Sequence, residues 1–295
     1  MKFQARAAAV LAVMIFSVSL GGCLVEKDKG AAKTYASTTN ILHTYVAGNV
    51  ITYDLVRNTS SGTSTGTLEV KWEATDQIQD PFDSNQRYSV LKETTNIYYS
   101  GSTDPDESAV RYLEQDSSGL TNGTIFLRAI DDPASTTNYW LSSENNVPPG
   151  NLEKVEIFRS PIILGNPLTI DFNVMSGCSG TSCAQSVGNL YNSLEAVDYP
   201  EVVSGTGKGT FTNVYKATYA GSLTPVDQTP LPFFDFLDIC HVTGSATTSH
   251  NGTLYIVPEV GVIKMINTCQ SGINPSETYI ATLRNTTIAL PPLTN

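Results

Sequence analysis

Apolar and polar residues alternate along most of the chain. Over Asn49–Val56, Ile51, Tyr53 and Leu55 share one face, and over Thr67–Ala74 Leu68, Val70, Trp72 and Ala74 do the same. Period-2 patterning marks strands with one buried face, because successive side chains point to opposite sides of a sheet. The run Ser60–Gly66 between them, rich in Ser, Thr and Gly, reads as a turn and makes the pair a hairpin. Further strands are predicted at Arg87–Tyr99, Ala109–Gln115, Thr124–Ile130, Leu152–Phe158, Gly209–Tyr219, Thr253–Val257, Val260–Ile266 and Glu277–Ile288, with Pro161–Phe172 extended and punctuated by proline. Asn122-Gly123 and Asn251-Gly252 read as tight turns, since both residue types accept positive φ. One helix is predicted, over Ala184–Ala196, from the spacing of Val187, Leu190, Tyr191 and Leu194, although Gly188 weakens it. A mostly β protein follows, an antiparallel sheet, sandwich or open barrel with at most one short helix. A polar, proline-containing stretch from Ser142 to Gly150 separates two sets of strands, so two β-sheet units are expected, 41–145 and 146–295.

The first residues do not fit this pattern. Lys2 and Arg6 precede an apolar run from Ala7 to Leu20, followed by Gly21, Gly22 and Cys23. A basic start, a short apolar run and small residues before a cut define a secretory signal, and the run is too short to span a bilayer. Leu20-Gly21-Gly22-Cys23 resembles the bacterial lipobox, in which the Cys thiol is acylated and the chain is cut before it. Residues 1–22 are therefore expected to be a signal peptide, and Cys23 the acylated (palmitate-bearing) residue of a polar tether over 23–40. Leu24, rather than Asp, follows Cys23, which under the lipobox sorting rule implies the outer membrane. Several acyl chains would hold the protein there stably, where one would not.

The full chain has 17 Lys+Arg against 28 Asp+Glu, a net charge of -11. Loss of Lys2 and Arg6 with the signal makes the mature chain two charges more acidic. That acidity argues against nucleic acid as a partner, since phosphate binding needs clustered cations. Beyond Cys23 the cysteines are Cys178, Cys183, Cys240 and Cys269, an even number that in an exported chain points to disulfides. Of the three connectivities, Cys178–Cys183 and Cys240–Cys269 are favoured. No Cys-x-x-Cys spacing supports a metal, and no cofactor is implied.

Three further segments resemble a family of poorly characterised bacterial envelope lipoproteins. Tyr45–Tyr53 (YVAGNVITY) is similar to the family's G-N-x-W-x-Y strand, with Ile51 where Trp is usual. Gly209–Lys216 (GTFTNVYK) is similar to G-T-F-x-N-x-x-K, and Leu254–Lys264 (LYIVPEVGVIK) to Y-x-x-x-G-V-G-x-I-K. The resemblance implies a curved antiparallel sheet, open or half-barrel in form, without catalytic residues. It also implies that Gly209 allows a tight start to a strand, Phe211 plugs the concave face, Gly261 lets a strand bend, and Lys264 is a charge at a strand edge.

Catalytic signals are weak. Gly62-Thr63-Ser64-Thr65-Gly66 matches G-x-S-x-G but lies in a low-complexity hairpin loop and is followed by a strand instead of the helix that a nucleophile elbow needs. Gly205–Thr210 lacks the spacing of a phosphate loop and reads as an ordinary loop. His43, His241 and His250 follow no triad order, even with Asp235 or Asp238 nearby. Asp104, Asp106 and Glu107, and likewise Asp131 and Asp132, do not follow a calcium-loop pattern and read as solvated carboxylates. The aromatic run containing Phe233, Phe234, Phe236 and Leu237, beside Cys240, is either a core plug or the lip of an apolar groove. The expected protein is thus a non-enzymatic outer-membrane lipoprotein binding an apolar ligand or a protein partner through its sheet. The alternatives are a structural accessory of an envelope complex (secretion, pilus or outer-membrane assembly) or an extracytoplasmic hydrolase. Mass mapping under non-reducing conditions should find all four mature cysteines paired. An unpaired Cys240 would overturn the pairing.

Overall fold

The computed structural model describes residues 45–74, 77–115, 124–131, 138–143, 154–159, 165–176, 186–225 and 246–293. The strands are β1 (Val50–Thr59), β2 (Gly62–Ala74), β3 (Ile78–Gln79), β4 (Arg87–Tyr88), β5 (Leu91–Tyr99), β6 (Glu107–Gln115), β7 (Ile125–Asp131), β8 (Asn138–Ser143), β9 (Val155–Phe158), β10 (Leu168–Ser176), β11 (Ser186–Gly205), β12 (Gly209–Pro225), β13 (Thr248–Val257), β14 (Gly261–Ser271) and β15 (Glu277–Thr286). Among the described residues there is no helix.

The strands pair in the order β6-β5-β2-β1-β15-β14-β13-β12-β11-β10-β8-β7, and β7 pairs back onto β6. Twelve antiparallel strands therefore close a barrel. The expected open half-barrel is corrected by two ladders: β1 against β15, joining the chain's first and last strands, and β6 against β7. Closure leaves no continuous sheet edge to be covered. Strands from both sides of residues 144–153 enter the same ring. β8 and β9 share one edge of β7 end to end, at Ala129–Asp131 and Ile125–Leu127 respectively, and β3 and β4 form a separate hairpin.

Alternation sorts each strand into an inner apolar face and an outer polar one. Ile51, Tyr53 and Leu55 pair with Val70, Leu68 and Gly66, and Leu68 pairs with Ile97; the large residues of this set are fully buried. The outward faces of β1, β2 and β15 carry Asp54, Glu69, Lys71 and Arg284, two of them joined as Arg284–Asp54 at 3.5 Å and two as Lys71–Glu69 at 3.0 Å. This is the reverse of a membrane-spanning barrel, whose outer belt is apolar. No described helix is long and apolar enough to cross a membrane.

One end of the barrel is sealed. β10 pairs with β11 only as far as Leu194, and β13 with β12 only from Tyr215. The rest of the β11–β12 hairpin folds inward and buries Val203, Phe211 and Val214 in the main core. At its tip Thr206 N–H donates to the Leu283 carbonyl at 2.7 Å, reaching past β13 and β14 to β15. Gly209 begins β12 at φ +93°, a left-handed conformation that glycine adopts at little cost. Tyr45 closes the same end, with its ring edge-on to Trp72 at 5.6 Å.

Several local expectations change. Ser60–Gly66 is not all turn: Ser60 and Ser61 alone connect the strands, and 62–66 extend β2. The helix expected at Ala184–Ala196 is replaced, from Ser186, by β11. Ladders to β10 and β12 take up its backbone groups on both sides, and Gly188, Asn189, Asn192 and Ser193 are weak helix formers. Gly261 does not bend a strand but starts β14, and the register shift lies at Tyr255/Ile256. Lys264 is not at an edge: it pairs with Tyr255 and Thr282, its ammonium 5.7 Å from the Tyr255 ring centroid.

Asn251-Gly252 is likewise no turn but the middle of β13. A Cβ on Gly252 would meet the Ile266 carbonyl oxygen at 2.0 Å and the Tyr219 hydroxyl at 2.8 Å. The glycine is there for close approach. Gly252→Ala should therefore destabilise the protein by about 1–3 kcal/mol, the usual cost of overpacking. Chemical denaturation measures it, and an unchanged midpoint would show that β13 has room to give.

Candidate functional site

Three charged residues interrupt the inner apolar stripes near the unsealed end. Arg57 follows Ile51, Tyr53 and Leu55 on β1, Glu107 begins β6 and Glu277 begins β15. Arg57 pairs with Tyr279, Tyr279 with Asn267, Asn267 with Gly252 and Gly252 with Tyr219, so one inward rung runs across five strands. The next rung toward the mouth holds Glu277, Cys269 and His250.

The Arg57 guanidinium is fixed on several sides. Its Nε and Nη2 donate to Glu277 Oε2 at 3.0 and 2.8 Å, and Nη1 donates to the Tyr99 hydroxyl at 3.2 Å. Glu107 Oε1 lies 3.7 Å from Nη1 and accepts from Tyr99 Oη at 3.1 Å. Tyr279 Oη donates to Glu277 Oε2 at 2.8 Å, and the guanidinium carbon lies 5.5 Å from the Tyr279 ring centroid and 5.8 Å from that of Tyr99. Burial alone would lower the Arg57 pKa. The Tyr279 and Tyr99 oxygens and the bond to Glu277 outweigh it and hold the cation above its ordinary value.

Two clefts meet at this pair. One, of about 270 Å³, is lined by Arg57, Glu107, Thr248, Cys269, Glu277 and Tyr279, with Gln270, Ser271, Asn274 and Pro275 at its rim. The other, of about 430 Å³, shares Arg57 and Glu277 and is bounded by Thr59, Ser60, Ser61, Gly62, Thr63 and Ser64. On the same two rungs, Tyr219 and His250 are both buried and meet edge-on at 5.4 Å. A second charged group lies inside the barrel toward the sealed end: Arg111 donates from Nε to Glu93 Oε1 at 2.7 Å and also from Nη2, and Trp72 Nε1 donates to Glu93 Oε2 at 2.8 Å. Both partners are almost fully buried, so this network is part of the core rather than a contact surface.

Of the residues singled out in the sequence, Cys269 and His250 stand in the described barrel and Glu107 in its mouth. Asp106 accepts from Tyr99 N–H at 2.7 Å and Ser102 Oγ at 2.9 Å, bracing the β5–β6 turn. No group of His, Cys, Asp and Glu suited to a metal occurs among the described residues. Leu20, Gly21, Gly22, Cys23, His43, Asp132, Cys178, Cys183, Phe233, Phe234, Phe236, Leu237, Asp235, Asp238, Cys240 and His241 lie outside the described residues. The strand ends that bracket 226–245, Pro225 and Thr248, stand at the unsealed end, since Leu223 pairs with Thr248 and Thr248 with Ser271. Arg57 and Glu277 were missed, although a charge in phase with an apolar stripe was visible for each.

The chain matches no protein-family model and no curated protein. Among solved structures it is similar to a candidate lipoprotein of Parabacteroides distasonis ATCC 8503, at 11% identity and TM-score 0.38, covering 84% of this chain and 99% of that one. It is also similar to a candidate exported protein with a YmcC-like fold from Bacteroides fragilis NCTC 9343, at 12% identity and TM-score 0.36, covering 82% and 96%.

The mouth tyrosines set a pH limit. Burial, then the neighbouring Glu107, pushes Tyr99 from 10.0 up to about 12; burial and the bond to Glu277 raise Tyr279 further. Below the unfolded value both states keep their phenolic protons. Above it the unfolded chain ionises while the folded one resists, so stability is lost as pH rises through the folded values. Denaturant midpoints should fall from about pH 10 upward, with ultraviolet titration showing delayed tyrosine ionisation. Constant stability between pH 10 and 12 would contradict the packing of these phenols.

Proposed function

We propose that this protein is an exported lipoprotein, anchored by acylated Cys23 to the outer membrane, whose barrel is a non-enzymatic binding module engaging its ligand or partner at the unsealed mouth. Support for the anchor is the Leu20-Gly21-Gly22-Cys23 string behind its apolar run. The outward polar face of the barrel adds to it, because such a surface gives no membrane affinity of its own. The observation that carries the binding function is the asymmetry of the two ends. Among the described residues, Phe211, Val203 and Tyr45 fill one end, whereas no described element fills the other, where polar clefts adjoin around a fixed guanidinium.

The polar lining favours a polar ligand or a protein partner over an apolar one. A role as accessory of an envelope complex draws on Ile273, wholly exposed on the β14–β15 turn beside the mouth. The pairing Cys240–Cys269 belongs to the same proposal, with Cys269 buried in the mouth wall.

Cys23→Ser should abolish labelling by a fatty-acid analogue and release the protein from membranes. Membrane attachment that persists would refute the anchor. Native mass spectrometry of the wild-type protein, extracted gently from its envelope, should show a bound small molecule or a stoichiometric protein. Turnover of an envelope polymer by the purified protein would refute the non-enzymatic reading.

A further inference from the structure

The mouth holds hydrogen-bonding groups of both kinds in a fixed arrangement. Arg57 has five N–H groups, of which three are engaged by Glu277 and Tyr99. Glu277 concentrates its bonds on Oε2, which leaves Oε1 of this one-third exposed carboxylate as an acceptor at the cleft. Gln270 and Asn274 are exposed at one rim, and Thr59, Ser60, Ser61, Thr63 and Ser64 border the other, with the Thr59 and Ser61 hydroxyls bonded to each other at 2.8 Å and Thr63 Oγ1 donating to Asn58 Oδ1 at 2.8 Å.

Charge narrows what fits. A simple anion attracted to Arg57 meets Glu107 and Glu277 around the same guanidinium, and a simple cation attracted to the carboxylates meets Arg57. The group sets one cation against two carboxylates, so an anion is disfavoured, while a neutral ligand with adjacent donors and acceptors bonds to both kinds of group without bringing a charge of its own. Vicinal hydroxyls have this character, and they can donate to Glu277 while accepting from Arg57. The two clefts share only Arg57 and Glu277, so the pair stands as a divider with a space on each side. The smaller space falls just below the roughly 300–1,000 Å³ usual for small-molecule sites, a size for one ring rather than a long chain.

Resting on the binding function proposed above, we infer that the mouth is a saccharide site in which a neutral sugar unit lies on either side of the Arg57–Glu277 pair. Tyr279 is buried and offers no open ring face for stacking. Hydrogen bonds would therefore carry the affinity.

The test is an NMR titration of the full mature protein in detergent micelles with maltose, with chitobiose and, as separate probes, with inorganic phosphate, spermine and trialanine. A disaccharide should shift the side-chain amides of Gln270 and Asn274 and the Nε signal of Arg57. The double variant Gln270→Ala/Asn274→Ala, altered only at exposed positions, should keep the fold and bind about tenfold more weakly. Arg57→Lys should weaken binding at least as much, because one ammonium cannot replace the fork of donors. Shifts with phosphate, spermine or trialanine while both disaccharides leave these signals unmoved would overturn the saccharide assignment and leave a binding mouth standing. Silence with every probe would overturn the inference, and native mass spectrometry would then judge the binding function independently.

Discussion

The ladder between β1 and β15 is the constraint on which the rest of the molecule depends. It joins the first and last strands over eight registered pairs, from Ile51–Thr286 to Asn58–Thr278, and with β6–β7 it turns a long meander into a ring. A twelve-strand meander left open would present two edges of unpaired amide and carbonyl groups, each a template for another chain. Closing it satisfies those groups internally and forces every inward side chain into one shared interior. That interior is wide for its strand number, since barrels of about eight strands are just filled by side chains. Here it is filled by large residues, among them Tyr53, Phe158 and Phe211, and by a hairpin folded in from one end.

Filling from one end creates the asymmetry that gives the molecule a functional direction. The β11–β12 hairpin is longer than its neighbours can pair with, and its surplus becomes the plug. At the opposite end no comparable element occurs among the described residues. There the inner face changes from aliphatic to Arg, Glu, Tyr, Asn and His. Desolvating a charge is costly unless it is paired and hydrogen-bonded. Arg57 meets that condition with carboxylate and phenol oxygens, while Glu93 and Arg111 meet it deeper in with each other and Trp72. The same requirement therefore yields two outcomes: a closed network in the core, and a partly exposed one able to take a further partner.

The sequence made the β class and most strand positions legible, because an inner apolar and outer polar face writes period 2 directly into β1, β2, β6 and β15. It concealed closure, because an edge strand and a paired strand carry the same alternation. The distance between Val50 and Thr286 along the chain gives no sign that they meet. Gly252 shows a second kind of failure. Asn-Gly has real turn propensity, but a glycine required for contact with Tyr219 and the Ile266 carbonyl looks the same in sequence. β11 shows a third, in which helical spacing lost to two ladders formed with distant strands. Of the site, Arg57 was legible as a charge in phase with Ile51, Tyr53 and Leu55, and Arg111 similarly stood between Ala109 and Leu113. Glu277 carried the same mark, in phase with Tyr279, Ala281 and Leu283, but its partnership with Arg57 appears only when β15 lies beside β1.

The polar outer face has a further consequence for how such a barrel would work at a membrane. With Asp54, Glu69, Lys71 and Arg284 on the outside of β1, β2 and β15, that part of the barrel wall lacks the apolar outer belt of a membrane-spanning barrel, and the proposed acyl anchor would supply the attachment instead. Tyr45, the first described residue, stands at the sealed end beside Trp72. Tethering of the kind proposed would also raise the local concentration of the mouth near anything else held on the same membrane. A site built on hydrogen bonds without exposed aromatic stacking is intrinsically weak, and a tethered barrel is the setting in which weak binding suffices.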